Sequence, residues 1–401
     1  MTFEITERVR TIEYAIRDVL EFAKRLEGEG RRITYLNIGD PVKFDFDTPE
    51  HMKQALFDAV RAGDNWYGAS EGIPELREAI CKKERRVNHI EISPEDVIVT
   101  TGVSEGIFML MAAIVDKKDE VLVPGPTYPP YSSYVRFFEG RPVPYKTIEE
   151  EGWIPDVEDI RSKISSRTKG MVIINPNNPC GAVYDSHTVK KMVDIAAENE
   201  LVVLSDEIYD RIVYDVPFES TAHTVKDYPV IGLNGFSKVY LATGWRLGYS
   251  YFHDFEGKLD ALKDSIKKET RIRLCANTPV QKAGVAALEG SDEHLGRMVE
   301  KLHKRRDYAW KRLNEIEGIS CTKPDGAFYV FPKVRDVGHR WKTDLDFVVD
   351  LLEETGVLLV HGSGFCKTYG AGHFRGVFLP PIEVLESAFD KMEKFMELRA
   401  T

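Results

Sequence analysis

No run of apolar residues in this chain comes near the roughly 20 needed to cross a bilayer. The opening MTFEITERVRTIEYAIRDVL is amphipathic and charged, unlike a secretory leader, so a cytoplasmic protein is expected. Cysteine is scarce: Cys81, Cys180, Cys275, Cys321 and Cys366 are odd in number and widely spaced, with no CxxC pair and no Cys/His cluster at metal-ligand spacing. A disulfide framework and a structural zinc are therefore not expected, and a reducing compartment is. Basic charge is in deficit, with a formal net charge of -11, which argues against nucleic acid or an anionic membrane as partner. The local basic runs at 82–86 and 304–306 lie in helical patterns with acidic neighbours and read as solvated helix faces. Also missing are a G-x-G-x-x-G turn after a strand and a G-x-x-x-x-G-K-[ST] loop. Gly362-Ser363-Gly364-Phe365-Cys366-Lys367-Thr368 resembles the latter only superficially, because its second glycine is out of register.

What is present is a globular composition, 43% hydrophobic over 401 residues, enough for two well-buried domains. Short β-branched runs at 97–101, 120–124, 170–175, 201–206, 230–234 and 247–252 alternate with helical periodicity at 74–87, 105–115, 187–200 and 279–288. That alternation predicts an α/β fold, a mainly parallel sheet flanked by helices. A long charged amphipathic stretch at 291–317 then leads to short strands at 326–332, 357–361 and 373–379 and helices at 344–354 and 381–399. These predict a smaller α+β domain completed by the N-terminal segment, so the expected division is 46–291 for the large domain and 1–45 with 292–401 for the small one.

In open α/β sheets ligands sit beyond the carboxyl ends of the strands, and the loops there carry the unusual residues. Thr101-Gly102-Val103-Ser104-Glu105-Gly106 turns straight into a helix, presenting backbone N–H groups to an anion. The same residues match G-x-S-x-G, the nucleophile elbow of serine hydrolases, with Asp325 and His361 available downstream as partners; no HGG-type oxyanion motif precedes it. Asn175-Pro176-Asn177-Asn178-Pro179 places side-chain amides at a strand end. Asp206, with Tyr209 about a turn further on, ends another strand where burial is expected, and a buried carboxylate requires a cationic partner. Lys238, in Asn234-Gly235-Phe236-Ser237-Lys238, has small and apolar company, the setting in which desolvation frees an amine for Schiff-base chemistry. A phosphate cradle, a carboxylate, an amide, a tyrosine and a lysine together suit pyridoxal 5'-phosphate.

With these motifs in this order, the chain resembles the class I aminotransferases of the fold-type I pyridoxal-phosphate enzymes over essentially its whole length. The resemblance implies a large domain with a mainly parallel seven-stranded sheet. It also implies that Lys238 forms the Schiff base and then moves the proton, and that Arg246, in Gly-Trp-Arg, holds the phosphate with Gly102, Val103 and Ser104. Asp206 would pair with the pyridinium nitrogen, Asn178 and Tyr209 would bond the 3'-oxygen, and Tyr128 would stack on the ring. Tyr67, in Trp-Tyr-Gly-Ala-Ser-Glu-Gly, would reach a neighbour's phosphate in a homodimer. Arg375 would clamp the substrate carboxylate with Asn178 and the Gly39 backbone. Many relatives carry a hydroxyl three residues before the lysine; here that position is Gly235, and Ser237 is its possible substitute.

Ile12-Glu13-Tyr14-Ala15-Ile16-Arg17, Leu36-Asn37-Ile38-Gly39-Asp40-Pro41, 271–277 and His361-Gly362-Ser363-Gly364 are similar to the alanine aminotransferase branch of archaea and bacteria. The implied reaction is ping-pong transfer between L-alanine and 2-oxoglutarate, with Arg17 and Tyr14 reading the distal carboxylate of the larger substrate. Aspartate or aromatic aminotransferases and β-lyases use the same catalytic set and stay open as alternatives.

Overall fold

The computed structural model describes residues 3–10, 12 and 14–400; Glu13 of the N-terminal motif lies outside them. Strand β1 (Thr34–Tyr35) comes first, followed by β2 (Val97–Thr100), β3 (Glu120–Gly125), β4 (Arg141–Ile148), β5 (Ile154–Pro155), β6 (Thr168–Ile174), β7 (Val202–Asp206), β8 (Val230–Gly235) and β9 (Gly248–His253). Strands β2 to β9 make one sheet in the order β2-β9-β8-β7-β6-β3-β4-β5. Seven strands were expected and eight are hydrogen-bonded; the extra one, β5, has two residues and runs antiparallel to the end of β4. Strand β4 is not among the runs predicted from sequence; Pro142 and Pro144 interrupt its strand-like pattern. Only its last two residues, Thr147 and Ile148, pair with β5, so Pro142 and Pro144 sit where one flank is unpaired and a missing N–H is tolerated.

The central strands are apolar without alternation because both sheet faces are covered. Val97, Val99, Leu122, Met171, Ile173 and Val203 join one core, while their neighbours Ile98, Val121, Val123, Val172, Ile174 and Leu204 join the other. The pairs β8–β7, β7–β6, β6–β3 and β3–β4 are parallel. Strand β9 runs antiparallel to both β8 and β2. This reversal matters for the site: the carboxyl ends of β2, β6, β7 and β8 share one edge, and β9 brings its amino end there.

The remaining strands are β10 (Ile319–Ser320), β11 (Tyr329–Val330), β12 (Lys333–Val334), β13 (Val357–Leu358), β14 (Val360–His361) and β15 (Phe374–Val377). They form small sheets, β11-β15-β14 and β10-β12, while β1 pairs in parallel with β13. The chain before residue 36 is thus stitched to the chain after 356. The long stretch expected at 291–317 is the helix Glu293–Glu315, and those expected at 344–354 and 381–399 are Asp344–Thr355 and Ile382–Ala400.

The basic runs are not simply solvated. Lys83 is 3% exposed and Glu84 is fully buried. Lys83 Nζ donates to Glu84 Oε1 at 3.0 Å and to Asp210 Oδ2 at 2.6 Å, and Asn234 Nδ2 donates to the same Asp210 oxygen at 2.9 Å. Arg305 and Arg306 are buried as well, bonded to Asp45 and Asp215. A helical charge pattern identifies the faces but not which face meets the core; Lys83 turns inward to the buried Glu84 and Asp210, whereas Arg305 and Arg306 are buried but paired with the exposed Asp45 and Asp215.

Substituting Lys83→Met leaves Glu84 and Asp210 buried without their cation. A loss of about 3–5 kcal/mol is expected in denaturant unfolding; a loss below about 1 kcal/mol would show that protonation or water replaces the lysine.

Candidate active site

A cavity of ≈ 510 Å³ opens at the shared strand edge, within the size range of small-molecule sites. Val103, Ser104, Tyr128, Asn178, Asp206, Tyr209, Ser237, Lys238, Arg246 and Arg375 line it, together with Gly39, Tyr14 and Arg17. Each strand-end loop contributes its chemistry. After β2 come Gly102 to Ser104, after β6 Asn178, at the end of β7 Asp206, and after β8 Ser237 and Lys238. Arg246 arrives from the amino end of β9, whose Gly248 pairs with Thr100. That register answers why Lys238 and Arg246 can serve one site: the chain turns back between them.

At the cavity floor, Lys238 Nζ donates to the Gly39 carbonyl at 2.6 Å. Desolvation lowers its pKa to about 8, Asp40 acts in the opposite direction, and the Arg375 and Arg246 charges push it further down. Asp206 is 3% exposed. Its carboxylate accepts from Tyr131 Oη at 2.9 Å and from Ile208 N at 3.2 Å, yet burial outweighs both and raises its pKa to about 6. Among the described residues it has no ion-pair partner.

Arg375, on β15, is 1% exposed. Nη1 donates to Asn178 Oδ1 at 2.9 Å and Nη2 to the Asn37 carbonyl at 2.5 Å, while Nε has no partner. Its guanidinium carbon lies 4.5 Å from the Tyr329 ring centroid and 4.8 Å from that of Phe365. The arginine is therefore buried among neutral groups, and burial lowers its pKa. Tyr329 also shares a 2.7 Å hydroxyl contact with Tyr209.

Arg246 is exposed and left-handed, at φ 53 and ψ 57. Its guanidinium covers Gly102: a Cβ there would fall 2.5 Å from Nη2. Gly102 does not itself line the cavity, but its φ of +81 favours glycine, and a side chain there would displace the Arg246 guanidinium. Gly39 is constrained too, since a Cβ would lie 2.1 Å from Tyr329 Oη. At Gly235 a side chain would meet the Gly248 Cα and the Leu247 carbonyl at 3.0 Å, so the hydroxyl common at that position in relatives has little room here.

Tyr67 is not brought to the site of its own chain; it is 80% exposed. The hydrolase partners of Ser104 are not brought in either. Asp325 and His361 are absent from the cavity lining, the latter bonding Ser363 Oγ through Nδ1 at 2.9 Å. Asn175 and Asn177 hold the loop through Tyr184, leaving only Asn178 facing the cavity. Sequence reasoning missed Asp40, Thr243, Tyr131 and Tyr329. Asp40 directly follows Gly39 in a quoted motif, and Tyr131 lies one turn beyond Tyr128; Tyr329 carried no local signal.

Residues 31–388 match the family described as Aminotransferase class I and II. The chain is 37% identical over 400 residues to the glutamate-pyruvate aminotransferase AlaA of Escherichia coli, covering 98% of each. It is likewise 37% identical over 399 residues to an alanine aminotransferase of Mycobacterium tuberculosis, covering 98% of this chain and 92% of that one. Among solved structures, the alanine aminotransferase from Pyrococcus furiosus superposes with a TM-score of 0.96 at 55% identity, over 98% of this chain and 100% of that one. The fold and the cavity define a fold-type I transferase site. The chain belongs to the class I and II aminotransferases, and its cofactor is pyridoxal 5'-phosphate.

The residues present fit that cofactor. Four cationic side chains, Arg17, Lys238, Arg246 and Arg375, line the cavity against two carboxylates, Asp40 and Asp206, which suits a ligand that brings phosphate and carboxylate charge. Among the described residues Asp206 has no cation, which a protonated ring nitrogen would supply, and Arg375 has no anion, which a substrate carboxylate would supply.

In the apoprotein, acylation of Lys238 followed by mass spectrometry across pH should show a midpoint at about 8. Asp40→Asn removes the attraction that favours the ammonium and should move the midpoint lower. An unchanged or higher midpoint would remove Asp40 from the account of this lysine.

Proposed function

We propose that the protein transfers the amino group between L-alanine and 2-oxoglutarate, forming pyruvate and L-glutamate by a ping-pong mechanism. The observation that carries this reading is the buried, anion-free Arg375 facing Lys238 across one cavity, in a chain 55% identical to an alanine aminotransferase. The same reading makes it a cytoplasmic homodimer, with Tyr67 of each chain reaching the phosphate site of the other. It also divides the chain into residues 46–291 and residues 1–45 with 292–401, which the β1–β13 pairing supports.

When bound, the cofactor supplies an aldehyde that takes up the amino group and a ring that accepts the electrons of the broken Cα–H bond. The protein supplies the rest. Arg246, Ser104 and the Gly102 and Val103 backbone hold the phosphate by charge-assisted bonds. Asp206, ionised once a cation faces it, keeps the ring nitrogen protonated. Asn178 and Tyr209 donate to the 3'-oxygen, Tyr128 covers the ring, and Ser237 lies beside the lysine. Arg375 grips the substrate carboxylate and so fixes which Cα bond faces Lys238. Lys238 Nζ, neutral in a large fraction near pH 8, would take that proton and return it to the cofactor carbon on the far side of the nitrogen.

Arg17 and Tyr14 line the same cavity from the N-terminal segment and are assigned the distal carboxylate of glutamate and 2-oxoglutarate, which alanine lacks.

Mixing the protein with L-alanine alone should release pyruvate in stoichiometric amount, and 2-oxoglutarate should then restore turnover. A higher kcat/KM for aspartate or an aromatic amino acid than for alanine would replace the substrate assignment. Lys238→Ala should lower kcat by about 10²–10⁴-fold or more. Arg17→Ala should raise KM for 2-oxoglutarate well beyond that for alanine; an equal rise in both would end the proposed discrimination.

A further inference from the structure

Tyr329 has no part in the roles assigned above, although it lines the catalytic cavity and is 2% exposed. Strand β11 pairs antiparallel with β15, and Tyr329 stands opposite Val377. Arg375 is two residues from Val377 and so shares its face, where diagonal neighbours across a strand pair come within reach. That register brings the Tyr329 ring centroid to 4.5 Å from the guanidinium carbon. The hydroxyl points the other way, into the large domain: Tyr329 Oη lies 2.7 Å from Tyr209 Oη, with the two rings edge to face at 89°. Gly39, which has no room for a side chain beside Tyr329 Oη, closes the remaining flank.

A proton count fixes the direction of the hydroxyl contact. Each phenol carries a single proton, and neither hydroxyl has another hydrogen-bond partner among the described residues. Tyr209 is assigned above as a donor to the 3'-oxygen, which commits its one proton. The 2.7 Å contact is then a hydrogen bond only if Tyr329 is the donor and the Tyr209 oxygen the acceptor. The opposite direction would take the proton away from the cofactor.

We propose that Tyr329 is a positioning residue for the reaction: its hydroxyl donates to Tyr209, holds the Tyr209 proton toward the 3'-oxygen and strengthens that second bond. The inference rests on the placement of Tyr209 at the 3'-oxygen. Hydrogen bonds in a chain polarise one another, most of all where water is excluded, and both phenols are buried. Tyr329 thus acts on the cofactor through Tyr209 while its ring covers Arg375, so one side chain backs the group that orients the cofactor oxygen and the group that grips the substrate carboxylate.

The test is a pH titration of the visible band of the holoenzyme in Tyr329→Phe, Tyr209→Phe and the double variant. The band changes when the cofactor nitrogen beside the 3'-oxygen loses its proton, and an oxygen with weaker donors keeps that proton to higher pH. Tyr209→Phe should raise the midpoint by about 1–2 pH units, and Tyr329→Phe by roughly 0.2–0.5 of a unit, the share that cooperative strengthening supplies. In the Tyr209→Phe background Tyr329→Phe should add nothing, because its effect passes through that phenol. Phenylalanine removes one oxygen and keeps the ring on Arg375, and the charged groups around the pair, Arg17, Asp40, Asp206, Lys238, Arg246 and Arg375, are the same in every variant. A midpoint in Tyr329→Phe at or below that of the parent, or a shift that persists in the Tyr209→Phe background, overturns the relay and leaves Tyr209 in place. An unmoved midpoint in Tyr209→Phe overturns the relay together with the placement of Tyr209.

Discussion

A cation buried without an anion organises this structure. Arg375 is enclosed by neutral partners: an amide from the loop after β6, a carbonyl from the segment before residue 38, and two aromatic faces. A lone buried charge is unfavourable unless something compensates it, and here three distant parts of the chain meet to hold the guanidinium while leaving a donor unused. In the proposed reaction a substrate carboxylate would complete the arrangement, so that binding it and relieving that deficit would be the same event.

The second constraint lies beneath the cavity. Asp210 follows Tyr209 by one residue and Asn234 precedes Lys238 by four, and the Asp210 carboxylate accepts from both Asn234 and Lys83. The loop that follows Asp206 and the loop that carries Lys238 are thus tied together by a buried ion cluster. Reversal of β9 completes the geometry by returning the chain to the same edge, so that Arg246 and Gly102 touch although 144 positions separate them in sequence.

Much of the fold was readable because its signals are local. Strands covered on both faces read as unbroken apolar runs, and the helices opened and closed near their expected positions. Strand β4 was missed, and two prolines interrupt its pattern; only its place near the sheet edge makes them harmless. The buried cations Lys83, Arg305 and Arg306 were misread as solvated, since helical spacing does not reveal which partner an inward face will meet. At the site, residues in tight loop motifs were legible from type and spacing, whereas Tyr329 and Tyr131 act through contacts formed by elements far apart in the chain.

Ser104 shows the division between the two levels. Taken alone, Gly102-Val103-Ser104-Glu105-Gly106 suits a nucleophile elbow and an anion cradle equally, because both require a glycine turn opening a helix. The sequence by itself determined the strand-loop-helix units and the residue types at each strand end. Tertiary structure alone decided that Ser104 shares its cavity with Arg246 and not with His361, that Arg375 is buried without an ion pair among the described residues, and that Lys238 loses enough solvent for its pKa to fall. Those outcomes depend on desolvation and on distances between charges remote in sequence, which only the packed chain defines.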